Sequence, residues 1–278
     1  MTAAPATTVR FDIGRVIARL LKVLGDNFAA FILLAILLVG LTAVLLTFFE
    51  LTYASPAAFV GAPASDVLQT LFAPARIAYF FAALFIRAAA NMILQGAVIY
   101  GAVTDLTGRR PTFGECLATG LRFLLPLLGI AIVSTVGIFV GYLLLIVPGV
   151  ILSLAWCVAA PAAVVERKGV FESLSRSLDL TRNHRLAILG LAIVLFVAEF
   201  VMGLVLSAAL GIGSSATAMA NLRNEIPFGG LFWAQSVASF IEQTLVACVT
   251  SAGVASIYFE LRQAKEGLAA EQLAAVFD

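Results

Sequence analysis

Long apolar runs, separated by short charged segments, dominate the pattern of the chain. A helix of about 20 apolar residues crosses the roughly 30 Å hydrocarbon core of a bilayer. Six stretches are long enough to do so, and each carries at most one charge in its interior. The pattern therefore predicts an all-α fold with six membrane-spanning helices, at 27–49, 77–104, 122–146, 149–165, 186–213 and 231–259.

The third and fourth spans are predicted from a single run, because no charged residue occurs between positions 123 and 165. This run of 43 residues is too long for one crossing. The dipeptide Pro148-Gly149 is a turn signal that divides it into two. The fourth span is short and Pro161 interrupts its end, so a re-entrant segment at 149–165 is the alternative.

Amphipathic segments precede the first, third and fifth spans, at 11–25, 112–121 and 170–182. Each carries apolar residues on one helical face and polar residues on the other, as expected of a helix that lies in the headgroup plane. For 11–25, packing against the protein's own surface is the alternative. In the third segment Glu172 and Arg176 are spaced for an i,i+4 ion pair. The order of elements suggests three parallel units, each an in-plane helix followed by two spans.

Small side chains recur at four-residue spacing in three of the predicted spans, a pattern typical of closely packed helices. They are Gly137 and Gly141 in the third span, Gly203, Ser207 and Gly211 in the fifth, and Ala247, Ser251 and Ala255 in the sixth.

The distribution of basic residues predicts the orientation. With six spans both termini lie on one side, and that side receives 14 of the 17 Lys and Arg residues, whereas the other side receives two. Because basic residues are retained in the cytoplasm, we expect both termini there, including a cytoplasmic tail at 261–278. Residues 1–278 are predicted to form one integral membrane domain.

Composition excludes the common soluble classes. The chain has 278 residues, of which 62% are hydrophobic and 12% charged, and its mean hydropathy is +1.07. A soluble domain of this length cannot hide so much apolar surface from water. The net charge of +1 points to no particular partner, and we expect none among nucleic acids.

Few residues of the chain are suited to catalysis or metal binding. Its three cysteines are far apart, so neither a disulfide framework nor a zinc site is expected. The only histidine, His184, lies in a charged segment and is predicted to be a solvated loop residue. No phosphate-binding, nucleophile-elbow or metalloprotease motif is present. We therefore predict no catalytic residues, no metal, no cofactor and no enzymatic activity.

Polar residues inside the predicted spans form the candidate site. Arg87, Asn91 and Gln95 make one stripe on the second span, while Glu199 and Glu242 are single charges in the fifth and sixth. At 1.5 Å per residue, the three charges lie at depths that agree within about 6 Å. One interpretation is a buried ion pair that fixes helix association. The other is a site for a solute, a lipid headgroup or a proton, because two carboxylates exceed one guanidinium.

Four motifs carry a resemblance to a known family. They are LIVPG at 145–149, PAAVVERKG at 161–169, ESLSRSLDLT at 172–181 and YFELRQAKEG at 258–267. The chain resembles the membrane domain attached to some bacterial glycerophosphodiester phosphodiesterases, and its stand-alone relatives. The resemblance implies a helical membrane domain without the phosphodiesterase chemistry, which in that family belongs to a separate soluble domain. It also implies the bacterial cytoplasmic (inner) membrane.

Two functions are consistent with the sequence. The first is a non-enzymatic membrane protein that handles a lipid or a small solute through the intramembrane polar cluster, with membrane lipids as partners. The second is a scaffold or regulatory protein that binds other envelope proteins through 166–185 or 261–278.

Overall fold

The computed structural model describes residues 11–53, 72–209 and 230–266. Within these ranges the chain forms ten α-helices and one π-helical turn, and no strand. The helices are α1 (Ile13–Ala35), α2 (Leu41–Tyr53), α3 (Pro74–Leu106), α4 (Phe113–Arg122), α5 (Leu124–Leu144), α6 (Ile146–Trp156), α7 (Ala159–Glu166), α8 (Val170–Thr181), α9 (Arg185–Ala209) and α10 (Gly230–Glu266), and the π-helical turn is Ile36–Gly40.

Six segments of these helices are long and apolar enough to cross a membrane, so the predicted all-α architecture with six spans is confirmed. They are Ile13–Leu46, Pro74–Leu106, Leu124–Leu144, Ile146–Glu166, Arg185–Leu206 and Phe240–Glu266.

The first amphipathic segment is not a separate in-plane helix. Residues 13–25 are the first part of α1, which continues without a break into the first span, because no proline interrupts the pattern and Gly25 alone does not end a helix. Val16, Leu20 and Val23 on its apolar face are buried in the main core, against the protein itself. The segment predicted as a separate helix at 11–25 is thus the start of α1, and its burial favours the alternative, packing against the protein's own surface.

The helices predicted at 112–121 and 170–182 are observed as α4 and α8. Thr112 caps α4 by accepting from the backbone N–H of Glu115, while the Glu115 side chain accepts from the Thr112 backbone N–H. Helix α4 packs tightly on α3, since a methyl group placed on Gly120 would lie 2.3 Å from the carbonyl oxygen of Ile93. Each helix is followed by a long apolar helix, in the order predicted for the second and third units.

Helices α5 and α6 form a tight hairpin in which small residues permit close contact. A methyl group on Gly137 would lie 2.6 Å from the ring of Trp156, and one on Gly141 would lie 3.0 Å from the Cα of Gly149. The chain reverses at Leu145, whose backbone is extended. Pro148 therefore lies in the first turn of α6, where its missing N–H costs nothing, and the fourth segment starts before the predicted residue 149.

The last two long helices differ from prediction at their ends. Helix α9 starts at Arg185, and residues 210–213 of the predicted span lie outside the described part of the chain. Helix α10 runs to Glu266, so residues 261–266 extend the last helix and are not a separate tail. Residues 267–278 lie outside the described part.

The main core lies where α1, α3, α7 and α10 pack together. Its largest fully buried side chains include Phe31, Leu34, Leu94, Ile99 and Tyr258. Only the second half of helix α3 is buried. Most residues between Ala90 and Thr104 are enclosed, whereas most of those from 74 to 87 are exposed. The candidate site lies at this transition.

Candidate functional site

A cavity of about 470 Å³ opens between α3 and α10 at the edge of the main core. Its polar lining comes from Asn91 and Gln95 of α3 and from four residues of α10. Apolar side chains of both helices complete the wall. The lining residues are Asn91, Met92, Gln95, Glu242, Gln243, Val246, Ala247, Thr250 and Ser251.

Helical spacing brings these polar groups to one place. Asn91 and Gln95 are one turn apart on α3, and Glu242 and Thr250 are two turns apart on α10. The side-chain amide of Asn91 donates to the backbone carbonyl of Arg87 at 2.9 Å. This bond uses an N–H group, so the Asn91 side-chain oxygen remains an acceptor beside the cavity.

Helix α9 brings both carboxylates to the edge of the cavity. A methyl group on Gly203 would lie 2.6 Å from Glu242 Oε1, so the Glu242 carboxyl group packs directly on the α9 backbone. One turn away, Glu199 Oε1 accepts a hydrogen bond of 3.0 Å from the hydroxyl of Thr250, which lines the cavity. Glu199 and Gly203 are about 6 Å apart along α9, whereas Thr250 and Glu242, the residues that they contact, are about 12 Å apart along α10.

Ser251 is the most enclosed polar residue of the lining, with 4% of its surface exposed. Among the residues that the structure describes, its hydroxyl has no hydrogen-bond partner. Its oxygen is not one of the fully buried side-chain atoms that lack a partner in the described residues, so the hydroxyl group is not sealed from the cavity.

Arg87 does not join this group. Its side chain is exposed, it does not line the cavity, and within the described ranges it forms no ion pair with Glu199 or Glu242. A four-residue step along an α-helix turns through about 400°, so the predicted stripe drifts by about 40° per step. The structure places Asn91, Gln95 and Glu242 in the lining of one cavity, with Glu199 bonded to Thr250 of that lining, and it leaves Arg87 outside the lining.

A second set of charges lies at the end of the bundle where α1 starts and α10 ends. We call it the basic end, because Arg15, Arg19, Arg176 and Arg262 lie there. Its centre is the fully buried carboxylate of Glu260. Arg15 Nη2 lies 2.6 Å from Glu260 Oε1, and Arg19 Nη1 lies 2.5 Å from Glu260 Oε2. These pairs hold α1 on α10.

Glu166 organises the other half of the basic end. It accepts from Arg176 Nε at 2.9 Å and from the Tyr258 hydroxyl at 2.8 Å, and it pairs with Lys168. Arg176 also pairs with Glu266. Burial lowers the pKa of Arg176, but its bonds to the two carboxylates outweigh this and raise that pKa above its usual range.

The predicted pair between Glu172 and Arg176 is not formed by these residues. Glu172 is exposed, while Arg176 turns to Glu166 and Glu266. Sequence reasoning did not select Glu166, Tyr258 or Glu260 as a connected group. All three lie in the motifs that carry the family resemblance, which is the signal that could have identified them.

His184 is less exposed than predicted. It is half-buried and contacts the ring of Phe11, with ring centroids 5.7 Å apart. Burial, with a smaller contribution from the charge of Lys265, lowers the pKa of His184 below its usual value. Of the cysteines, Cys116 and Cys248 are buried and all three are free; burial raises the pKa of the Cys116 thiol to about 11.

Large apolar side chains face outward along the helices, for example Leu125, Phe139 and Leu143 on α5 and Phe196 on α9. A soluble protein does not expose apolar surface on this scale, whereas lipid covers it in a membrane. Together with the six spans, this defines a polytopic α-helical membrane protein.

Comparison with known families assigns the chain within that class. The family described as Domain of unknown function (DUF7847) matches residues 11–261, and the chain belongs to it. A UPF0259 membrane protein of Pectobacterium carotovorum subsp. carotovorum (strain PC1) is 28% identical over 139 residues, which are 50% of this chain and 54% of that protein. The aligned region thus spans about half the length of the relative. No solved structure matches the chain.

Proposed function

We propose that this membrane protein binds the polar part of a lipid or a small solute in the cavity between α3 and α10. The observation that carries this proposal is that polar side chains from two helices line one opening, to which the enclosed residue Ser251 contributes a hydroxyl group. Polar groups inside spans are costly, and they usually line a pathway or a binding site. Arg87 is not part of the proposed binding site.

The proposal includes no catalytic step. Among the described lining residues the hydroxyl of Thr250 is bonded to the carboxylate of Glu199, but no histidine lies in that lining, and we assign neither group a catalytic role. We also propose kinship with the membrane domain of glycerophosphodiester phosphodiesterases, on the basis of the four motifs. That kinship supplies the fold and not the hydrolysis.

We further propose the bacterial cytoplasmic membrane as the location, with both termini in the cytoplasm, from the basic bias. Reporter fusions at positions 60, 108, 175, 222 and 278 should then read out, in, in, out and in. A periplasmic signal at 175 would refute this orientation.

One observation favours the scaffold function as a second candidate. Phe171 on α8 is 75% exposed, within the segment 166–185 that the sequence suggests for a protein partner. Against this, the charged residues Glu166, Arg176 and Glu266 of the two suggested segments bind one another within the chain. If Phe171→Ser abolishes function while the protein level stays normal, a docking role for Phe171 is favoured.

Water access to the cavity tests the main proposal. A cysteine at Gln95, which lines the cavity, should react with a small hydrophilic thiosulfonate in membranes, above the background of the native cysteines. The matched control is Ala97→Cys on the same helix, where the side chain is fully buried. Equal, background-level labelling of both variants would mean a closed, dry cavity and would exclude the proposed site.

Comparison of protein level with function distinguishes a binding role of Glu242 from a structural role. Glu242→Gln should accumulate normally yet fail to restore the phenotype of a deletion strain, whereas Glu172→Gln should restore it. If Glu242→Gln reduces only the protein level, the carboxylate has a structural role. If it accumulates and restores function, the cavity is not the working site.

A further inference from the structure

The fourth span contains a break between α6 and α7. Helix α6 ends at Trp156 and α7 begins at Ala159. Pro161 accounts for this break, because it has no backbone N–H to donate to the carbonyl oxygen of Cys157, four residues earlier, and its ring would clash with that oxygen in a continuous helix. Backbone groups at the break therefore need partners from another part of the protein.

Helix α8 supplies these partners through Ser177, which is fully buried. The Ser177 hydroxyl accepts from the backbone N–H of Val158 at 3.3 Å and donates to the carbonyl oxygen of Ala155 at 2.7 Å. One hydroxyl group thus connects the last turn of α6 to the residue that precedes α7. Thr181, one turn further along α8, also donates to the Ala155 carbonyl oxygen, at 3.3 Å.

Both hydroxyl protons have another acceptor within α8. The Thr181 hydroxyl lies 2.9 Å from the carbonyl oxygen of Ser177, closer than it lies to Ala155. The Ser177 hydroxyl can turn to the carbonyl oxygen of Ser173, four residues earlier, as serine does in helices. If both hydroxyl groups turn away from the break, the bond that is lost outright is the one from the Val158 N–H, and this bond favours the closed arrangement.

The break separates two parts of the bundle that are packed differently. On one side α7 belongs to the main core, since Val164 and Val165 are almost fully buried. The end of α7 is joined to α10 by a hydrogen bond of 2.8 Å from the Tyr258 hydroxyl to Glu166. On the other side, residues 142–148 at the tip of the α5–α6 hairpin are exposed. Bending at the break therefore displaces the hairpin tip against a fixed core.

We propose that the break between α6 and α7 is a hinge and that Ser177 holds it closed. The Ser177 hydroxyl replaces the hydrogen bonds that a continuous helix makes along its own backbone, and Thr181 reinforces it. When Ser177 turns to its own helix, the fourth span bends at residues 157 and 158 and the hairpin tip moves. The movement needs no ligand in the cavity, so it is independent of the proposed function.

Cys157 lies at the break and is partly buried, so its reactivity reports on opening. The rate at which N-ethylmaleimide modifies Cys157 is measured in a full-length parent chain in which Cys116 and Cys248 are replaced by alanine. The protein is kept in a neutral maltoside detergent below its unfolding temperature. Ser177→Ala should raise this rate by about threefold or more, because loss of a typical hydrogen bond shifts an equilibrium by that much.

Ser173→Ala is the matched control for this experiment. Ser173 lies one turn earlier on α8 and is equally buried, but its hydroxyl donates to the carbonyl oxygen of Lys168, at 3.4 Å, and not to the break. The rate for Ser173→Ala should equal that of the parent chain. Equal rates for Ser177→Ala and Ser173→Ala would show that Ser177 does not hold the break closed, and the proposal would fail.

Spin labels test whether opening moves the hairpin tip. Leu143 on α5 and Leu21 on α1 are exposed, and cysteines at these positions carry the labels in a chain without the native cysteines. Pulsed electron paramagnetic resonance gives the distribution of distances between the two labels. Ser177→Ala should add a second distance population, whereas Ser173→Ala should match the parent chain. An unchanged distribution in Ser177→Ala means that only the backbone near Cys157 loosens, and it overturns the hinge.

A second variant decides the question if Ser177→Ala does not fold. Thr181→Val removes the other hydroxyl group that binds Ala155 and preserves the shape of the side chain. Cys157 should react faster in this variant than in the parent chain, by a smaller factor than expected for Ser177→Ala. A rate equal to that of the parent chain overturns the proposal.

Discussion

The guanidinium of Arg15 lies 2.6 Å from the carboxylate of Glu260, 245 positions further along the chain. This pair joins the first turn of α1 to the last turns of α10. Glu260 is fully buried, and it also accepts from Arg19 and from the backbone N–H of Asp12. One carboxylate thus links the first and last described helices of the bundle, which also pack together in the main core.

Removal of the Glu260 charge should destabilise the protein strongly. In Glu260→Gln, Arg19 keeps a largely buried charge without its partner, and breaking such a pair costs about 3 kcal/mol. Unfolding of the purified protein in detergent measures this loss. Glu172→Gln is the control, because that side chain is exposed, and its effect should stay within about 0.5 kcal/mol. Equal effects of the two variants would contradict the role of Glu260.

Arg176 should be energetically coupled to Glu166 and not to Glu172. A double-mutant cycle with Arg176→Gln and Glu166→Gln should give a coupling of about 1 kcal/mol, because both side chains are largely enclosed and Nε lies 2.9 Å from the carboxylate. The parallel cycle with Glu172→Gln should give a coupling near zero. The reverse result would restore the i,i+4 pair that the sequence suggests.

Substitution of Gly120 should separate α3 from α4. In Gly120→Ala the new methyl group would lie 2.3 Å from the carbonyl oxygen of Ile93, and backbone cannot yield as a flexible side chain does. Overpacking of this kind costs about 1–3 kcal/mol. Gly114→Ala on the same helix is the control, since nothing lies within 4 Å of its added methyl group, and it should be neutral or stabilising. Thermal unfolding of both variants provides the comparison.

The spans were predictable because lipid imposes a simple requirement, an apolar stretch of sufficient length. The charge gaps located all six segments of the bundle, within a few residues at most ends. The amphipathic pattern of residues 11–25 was ambiguous, because an apolar face buries equally well in a headgroup layer or on the protein. Only the position of α10, to which α1 packs, decides between the two.

The candidate site was only partly predictable. Residue spacing placed Asn91 and Gln95 on one face and Glu242 at a similar depth, and the structure brings them to one cavity. Residue spacing could not predict the rotation of α3 about its own axis, because tertiary packing sets that rotation. In the structure the rotation leaves Arg87 exposed. Glu166 and Glu260 were missed for a related reason. A charge at the end of an apolar run looks solvated until its distant partners are known.

The pH dependence of stability should report on His184. Burial and the charge of Lys265 lower the pKa of its imidazole in the folded chain, whereas the unfolded chain titrates near the usual value of 6.5. As the pH falls through that value, the unfolded chain takes up a proton before the folded chain does. Protonation of His184 therefore favours the unfolded chain. The contribution of His184 to the free energy of unfolding should be constant above pH 6.5 and decrease below it.

Replacement of the imidazole isolates this effect. The unfolding temperature of the wild-type protein should decrease between about pH 7.5 and about pH 5.5, and His184→Gln should reduce that decrease while matching the wild type at the higher pH. The carboxylate of Glu115, whose pKa is lowered by its hydrogen bonds to Thr112, loses its contribution only below 4.5, outside this window. A decrease of the same size in His184→Gln would show that other groups carry the dependence.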